Sequence, residues 1–246
     1  MPPAARRPLT MPIAVPLRAV LLDVGGTLID SDPSPSEVYA RVLTRLGRPV
    51  SAGEVAPAFR ATWRELCELH PPGLDRYHLL KGGEREWWGE FVRRVIARLA
   101  HPAPWREALD ELFDAFADPG LWRVYPEVPD VLEGLGRRGL RLAAVSNWDS
   151  RLPAVLAGVG LDRHFEAVLV SALEGVEKPS PAMFQRALNR LGLTAPECLH
   201  VGDSPLDDYR GAESAGLRAL LLDRHGLFSD GYRRISDLRG IYAYLG

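Results

Sequence analysis

Five short apolar runs recur along this chain, and segments of helical spacing separate most of them. The runs are Arg18–Val24 (RAVLLDV), Leu140–Ser146 (LRLAAVS), Ala167–Ser171 (AVLVS), Cys198–Gly202 (CLHVG) and Arg218–Asp223 (RALLLD). Runs this short, with little polar alternation, read as strands covered on both faces. Helical spacing marks Val128–Arg138, Arg151–Val159, Ala182–Leu191 and Leu206–Ala215. Strand alternating with helix predicts an α/β domain, a parallel sheet with helices on both faces.

The interval between the first and second runs breaks that rhythm. It carries helical patterns at Ser36–Leu46, Ala52–Leu69, Glu84–Ala100 and Trp105–Ala117, punctuated at Gly47–Pro49, Pro71–Gly73, Gly82–Gly83 and Pro102–Pro104. No segment there reads as a strand. The predicted organisation is therefore an α/β core over residues 17–32 and 121–246, with an inserted helical module over 33–120. Residues 1–16, with five prolines and no acid, are expected to form a loose tail. Five of the six tryptophans fall between Trp63 and Trp122 and are expected to form the core of the helical module.

Composition narrows the function classes. A formal net charge of −2 offers no basic surface for nucleic acid. No apolar run approaches the ~20 residues of a membrane span. The two cysteines, Cys67 and Cys198, sit in apolar surroundings and read as buried thiols of a reducing, cytoplasmic setting. Lysine occurs only at Lys81 and Lys178, and asparagine only at Asn147 and Asn189, so each is conspicuous.

In an open parallel sheet, ligands bind beyond the carboxyl ends of the strands. There the sequence places Asp23-Val24-Gly25-Gly26-Thr27, Ser146-Asn147 and Gly202-Asp203-Ser204-Pro205-Leu206-Asp207-Asp208. The loop after the third run adds Glu177-Lys178-Pro179.

These four segments, in this order, resemble the motifs of the haloacid dehalogenase superfamily. The family pattern is Asp-x-Asp-Gly-Thr, a Ser or Thr after a strand, a Lys before Pro, and Gly-Asp with a second Asp five residues on. The resemblance runs from Arg18 onward. The Trp87-Trp88 pair and the run Arg138–Leu152 look like the rhythmically-expressed-gene branch. It implies a Rossmann-like core, an α-helical cap, and hydrolysis of a small phosphorylated molecule through an aspartyl-phosphate at Asp23. It also implies a Mg²⁺ ion held by Asp23, Asp203 and the Gly25 carbonyl, with Asp208 holding a metal-bound water or orienting Lys178.

Elementary electrostatics agrees with those roles. A carboxylate approaching a phosphate meets about 4 kcal/mol of repulsion per charge pair near 4 Å at an effective dielectric of ~20. A divalent cation and Lys178 offset it. Thr27 and Ser146, with backbone N–H groups around Gly26 and Asn147, are candidate donors to phosphoryl oxygens. Asn147 and Trp148 either touch the leaving group or simply pack. Asp207 reads as a helix-terminus charge. No pair of histidines has metal-ligand spacing.

The sequence departs from the family pattern at Gly25, where phosphatases carry a second Asp as the proton shuttle. General acid–base groups contribute about 10²–10⁴-fold. Three readings follow: a phosphatase using another acid, a water or a good leaving group; a catalytically impaired module that binds a phospho-ligand or partner; and a 2-haloacid dehalogenase. Asp30, Asp32, Glu84 and Glu86 are candidate substitutes for the missing acid. Pro33–Pro35 and Asp118–Gly120 are candidate hinges. Neither the substrate nor the oligomeric state is legible.

Overall fold

The computed structural model describes residues 15–70, 73–99, 103–228 and 231–245. The predicted loose tail therefore lies largely outside the described residues. Val15, at its end, is held by the Arg218 guanidinium through its carbonyl.

The core is a six-stranded parallel sheet. Its strands are β1 (Ala19–Leu22), β4 (Arg141–Ser146), β5 (Ala167–Val170), β6 (Cys198–Gly202), β7 (Arg218–Leu222) and β8 (Arg234–Ile235), in the spatial order β5-β4-β1-β6-β7-β8. All five predicted strands are present. β8 was missed, because two residues are too few to show a pattern. β1 lies in the middle, with Leu22 level with Ala144 of β4 and Val201 of β6. Its residues alternate between faces as the pleat requires. Val20 and Leu22 join one apolar cluster; Ala19 and Leu21 join the other. Each fully buried leucine contributes roughly 1.5–3 kcal/mol.

Among the described residues, four α-helices form the inserted module: α1 (Pro35–Arg45), α2 (Ala52–Glu68), α3 (Gly83–Ala97) and α4 (Trp105–Ala117). Ser34–Glu37 and Ser51–Glu54 close reciprocal capping boxes that start the first two. Tyr39, Phe91, Val95 and Leu112 centre their shared core. Two short strands, β2 (Ile29–Ser31) and β3 (Trp122–Val124), pair antiparallel where the chain leaves and re-enters the core, with Asp30 opposite Arg123. The sequence reading missed both. The candidate hinge segments Pro33–Pro35 and Asp118–Gly120 flank this joint.

Helices α5 (Val128–Arg137) and α6 (Leu152–Gly158) cover one face of the sheet. The other carries α8 (Pro181–Leu191) and the short α9 (Gly211–Ser214), with the single turn α7 (Ser171–Glu174) at the end of β5. The segment expected as one helix over Leu206–Ala215 instead begins as a π-helical turn, Pro205–Arg210, before α9.

Two side-chain expectations need correction. Cys198 is buried but Cys67 is exposed: apolar neighbours in sequence do not fix which face of α2 a residue occupies. The tryptophans also do more than fill the helical core. Trp87 is buried there, whereas Trp63, Trp88 and Trp122 line a cavity between module and sheet. Among the described residues no helix is long and apolar enough to cross a membrane.

Candidate active site

The site sits at the carboxyl end of β1, where the chain turns sharply. The Val24 carbonyl accepts from the N–H groups of Leu28 (2.8 Å) and Ile29 (3.1 Å). Gly26 takes φ +73°, and a Cβ there would lie 2.6 Å from Asp203 Oδ2. Only glycine meets both demands. Its N–H donates to the Ile29 carbonyl at 2.9 Å, so Gly26 serves the turn and the close approach of Asp203 rather than offering that N–H to a ligand.

Asp23 is buried at the mouth of this turn. Its Oδ1 accepts from Lys178 Nζ (2.7 Å) and from Ser146 Oγ (3.2 Å). Lys178 Nζ also donates to Asp208 Oδ1 at 2.6 Å. Asp208 is engaged on every side: His200 Nε2 lies 2.9 Å from Oδ1, and the Ser204 N–H donates to Oδ2 at 3.0 Å. A Cβ at Gly202 would lie 2.2 Å from the Asp208 carboxyl carbon, so that glycine admits the approach. These contacts favour Asp208 as the residue that orients Lys178.

Asn147 lines the cavity and spends its side-chain amide on neighbouring backbone. Its amide donates to the Lys178 carbonyl (2.8 Å) and accepts from the Lys178 N–H (2.7 Å), a two-way clasp that seats the lysine. Thr27 is fully buried, its hydroxyl has no protein partner among the described residues, and it does not line the cavity. Gly25 does line the cavity. The Trp148 ring stands over it, 3.1 Å from where a Cβ would be.

Charge balance decides what else belongs here. Asp23, Asp203 and Asp208 can bring one carboxylate oxygen each to within 4.8 Å of one another. Lys178 supplies one positive charge among them. Burial raises the Asp23 carboxyl above its ordinary range, against the pull of Lys178. Burial, with Asp23 and Asp208 as like-charged neighbours, pushes Asp203 up to about 7. Asp208 moves the other way: burial works against its charge, but Lys178 and His200 outweigh it. Lys178 is likewise held well above its usual value, since its two carboxylates overcome the cost of burial. An all-oxygen cluster with surplus negative charge fits a hard divalent cation.

None of the four acids suggested as substitutes for a residue-25 carboxylate lines the cavity. Glu84 accepts from the Ser150 N–H (2.8 Å) and Oγ (2.5 Å). Asp30 accepts from Tyr125, Asp32 pairs with Arg123, and Glu86 is exposed. Asp207, read only as a helix-terminus charge, does line the cavity, and burial raises its carboxyl.

Three supporting groups escaped the sequence reading. His200 lies two residues before Gly202 on the same strand face, a placement that β-alternation alone offers as a signal. Arg224, just beyond β7, donates to the Thr27 carbonyl (2.7 Å), pairs with Glu127 (2.6 Å) and covers the Tyr125 ring. Arg76 of the helical module forms a bidentate pair with Glu177, beside Lys178 (2.8 and 3.0 Å). No local pattern announces the last two.

Similarity to known proteins follows the same lines. The haloacid dehalogenase-like hydrolase pattern matches residues 17–216. The haloacid dehalogenase-like hydrolase domain-containing protein 3 of Danio rerio is 34% identical over 213 residues, covering 85% of this chain and 86% of that protein. The phosphoserine phosphatase of Thermus thermophilus is 38% identical over 249 residues, covering 91% and 95%. The rhythmically expressed gene 2 protein of Drosophila melanogaster is 26% identical over 217 residues, covering 83% and 82%. Among solved structures, a HAD phosphatase from Thermococcus onnurineus superposes with a TM-score of 0.67 at 25% identity, over 94% of this chain and 98% of that one. A family pattern that matches most of the chain, with relatives 34% and 38% identical over most of both lengths, makes this chain a member of the haloacid dehalogenase-like hydrolase family.

Proposed function

We propose that the protein is a Mg²⁺-dependent phosphatase acting on a small phosphorylated molecule, with Asp23 as nucleophile. The observation that carries this reading is the Asp23 carboxylate, buried at the cavity base and held by Lys178 and Ser146 with Asp203 alongside. Asp23 attacks phosphorus, the bond to the ester oxygen breaks, and an aspartyl-phosphate forms. Water then cleaves the acyl-phosphate and releases inorganic phosphate. Lys178 offsets the charge of the phosphoryl group, Ser146 donates to it, and Asp208 with His200 holds Lys178 in place. Asp23 and Asp203, with the Gly25 carbonyl, would hold Mg²⁺, which supplies Lewis-acid stabilisation of the phosphoryl oxygens.

Metal binding has a readout independent of turnover. The unfolded Asp203 carboxyl has the ordinary value 3.8, whereas in the metal-free fold it sits at about 7. Between those values the native state binds a proton that the unfolded chain lacks, so the native advantage is lost as pH rises through the window. Mg²⁺ takes over from that proton. Mg²⁺ is therefore expected to raise the melting temperature more at about pH 8 than at about pH 5.5, relative to a chelator. An equal increment at both pH values would remove Asp203 from the metal site.

Gly25 sets the expected chemistry. With no carboxylate at that position, the leaving oxygen is protonated by another acid or by water, or leaves without a proton. Across alkyl, aryl and acyl phosphates, Mg²⁺-dependent rates are expected to rise steeply as the leaving group becomes more acidic. Gly25→Asp is expected to flatten that dependence, raising rates on alkyl phosphates by about tenfold or more, within the usual range for a general acid. The gain requires the Trp148 ring to shift by a few tenths of an ångström. A variant that folds, binds Mg²⁺ and keeps the steep dependence would show that residue 25 is not the gap. The same Gly25 favours one second reading, a module that binds a phospho-ligand without turning it over. Absence of turnover with Mg²⁺ and phosphate still bound would select it, and halide release from a 2-haloacid would select the dehalogenase reading.

A further inference from the structure

The cavity above Asp23 has a volume of about 510 Å³, within the range of roughly 300–1,000 Å³ that takes a drug-sized ligand. Its walls are aromatic. Trp148 covers the nucleophile end at Gly25, and Trp122 lies against it with centroids 4.7 Å apart. Trp63 and Tyr77 each flank Trp88 at the module end, at 6.4 and 6.3 Å, tilted by 33° and 35°. These rings border open space rather than filling it.

The buried arginines of the cavity, Arg151 and Arg76, are already committed. Arg151 gives Nε and Nη2 to Asp149 (2.8 and 2.6 Å) and Nη1 to the Phe113 carbonyl (2.6 Å), with its guanidinium stacked on the Phe113 ring. Arg76 spends its fork on Glu177 (2.8 and 3.0 Å). A substrate carboxylate would have to compete with these buried partners. Arg60 lies exposed on the lining, where solvent screens it. By contrast, Tyr39 and Tyr77 line the cavity and are buried, and among the described residues neither hydroxyl has a protein partner. They suit a polar edge on an otherwise apolar body.

We propose, building on the phosphatase reading, that the substrate is a phosphate monoester whose alcohol carries a flat aromatic or heteroaromatic body with a polar edge. A small carboxylate-bearing ester such as phosphoserine, the compound in the name of the Thermus relative, fits this cavity poorly.

The test compares esters with similar alkyl leaving oxygens: naphthylmethyl phosphate, cyclohexylmethyl phosphate, phosphoserine and phosphoglycolate. The kcat/KM for naphthylmethyl phosphate is expected to exceed that for phosphoserine by about tenfold or more, and that for the cyclohexyl ester by a few fold. Trp63 is 38% exposed but packs on Trp87, Trp88 and Phe91, so the melting temperature of Trp63→Leu is checked against the parent's. That substitution is expected to cut the aromatic preference by about three- to tenfold through KM rather than kcat. Equal or faster turnover of phosphoserine or phosphoglycolate, or a preference untouched by Trp63→Leu, would overturn the proposal. If none of these alkyl esters turns over, binding decides this proposal, and Mg²⁺-dependent turnover of aryl and acyl phosphates decides the phosphatase reading separately. Naphthylmethylphosphonate should then bind about tenfold tighter than phosphonoacetate by calorimetry, and equal affinities would sink it.

Discussion

Lys178→Met is expected to abolish turnover and to lower the unfolding free energy by about 3–5 kcal/mol near pH 8, the usual cost of removing one partner from a buried ion pair. The ammonium is nearly inaccessible and bridges Asp23 (2.7 Å) and Asp208 (2.6 Å). Methionine keeps most of the volume, so packing is spared and the loss reports charge. Two buried carboxylates would then face each other, with only the His200 Nε2 contact left on Asp208 Oδ1. The cost should depend on pH in a definite direction. Carboxyls that lose Lys178 take up protons more readily, and a protonated carboxyl no longer needs a counter-charge. The deficit should therefore shrink toward about pH 5 and grow toward about pH 8. Urea denaturation at the two pH values measures both the size and the trend. A variant within about 1 kcal/mol of the parent at the higher pH would mean that the Asp23–Lys178–Asp208 bridge does not form.

Much of this geometry was legible because it rides on strand ends. β1, β4 and β6 are buried on both faces, so each shows as an apolar run, and the polar residue that stops the run stands at the sheet edge where ligands bind. Asp23, Ser146 and Asp203 are thus legible at the sheet edge from the sequence itself. Lys178 was legible through its rarity and the following proline. What stayed hidden depends on contacts between distant residues. β2 and β3 are three residues each and exist because Ile29 meets Val124 across the whole helical insertion. Arg224 reaches the Thr27 carbonyl from the far end of β7, and Arg76 reaches Glu177 from the other module. Asn147 adds a contact of the same kind: its position beside Ser146 suggests a backbone N–H for a ligand, whereas the clasp of its side-chain amide on the Lys178 backbone spans distant residues. The aromatic residues show the same limit. Composition finds them in the helical module, but only the fold tells Trp87, which packs inside it, from Trp63 and Trp88, which face the cavity.

Asp23→Asn separates the chemical role of this residue from its structural one. Turnover is expected to fall by at least about 10⁴-fold, since an amide oxygen is a poor nucleophile and loss of a nucleophile in other covalent enzymes costs about that much or more. Stability should move the opposite way from Lys178→Met. Asp23 is buried, its carboxyl is raised by that burial, and Asp208 adds to the rise. Asparagine keeps the shape and an oxygen for Lys178 and Ser146 while removing one of the charges crowded around a single lysine. The metal-free variant is therefore expected to melt at or above the parent's temperature at about pH 8, and to gain less from Mg²⁺. Residual activity within tenfold of the parent would place the nucleophile elsewhere. A clear fall in melting temperature would mean that the Asp23–Lys178 pair is held for stability. Loss of turnover without loss of stability is the outcome that a charge-crowded catalytic aspartate predicts, because the crowding that destabilises the metal-free fold is the same feature that draws in a cation.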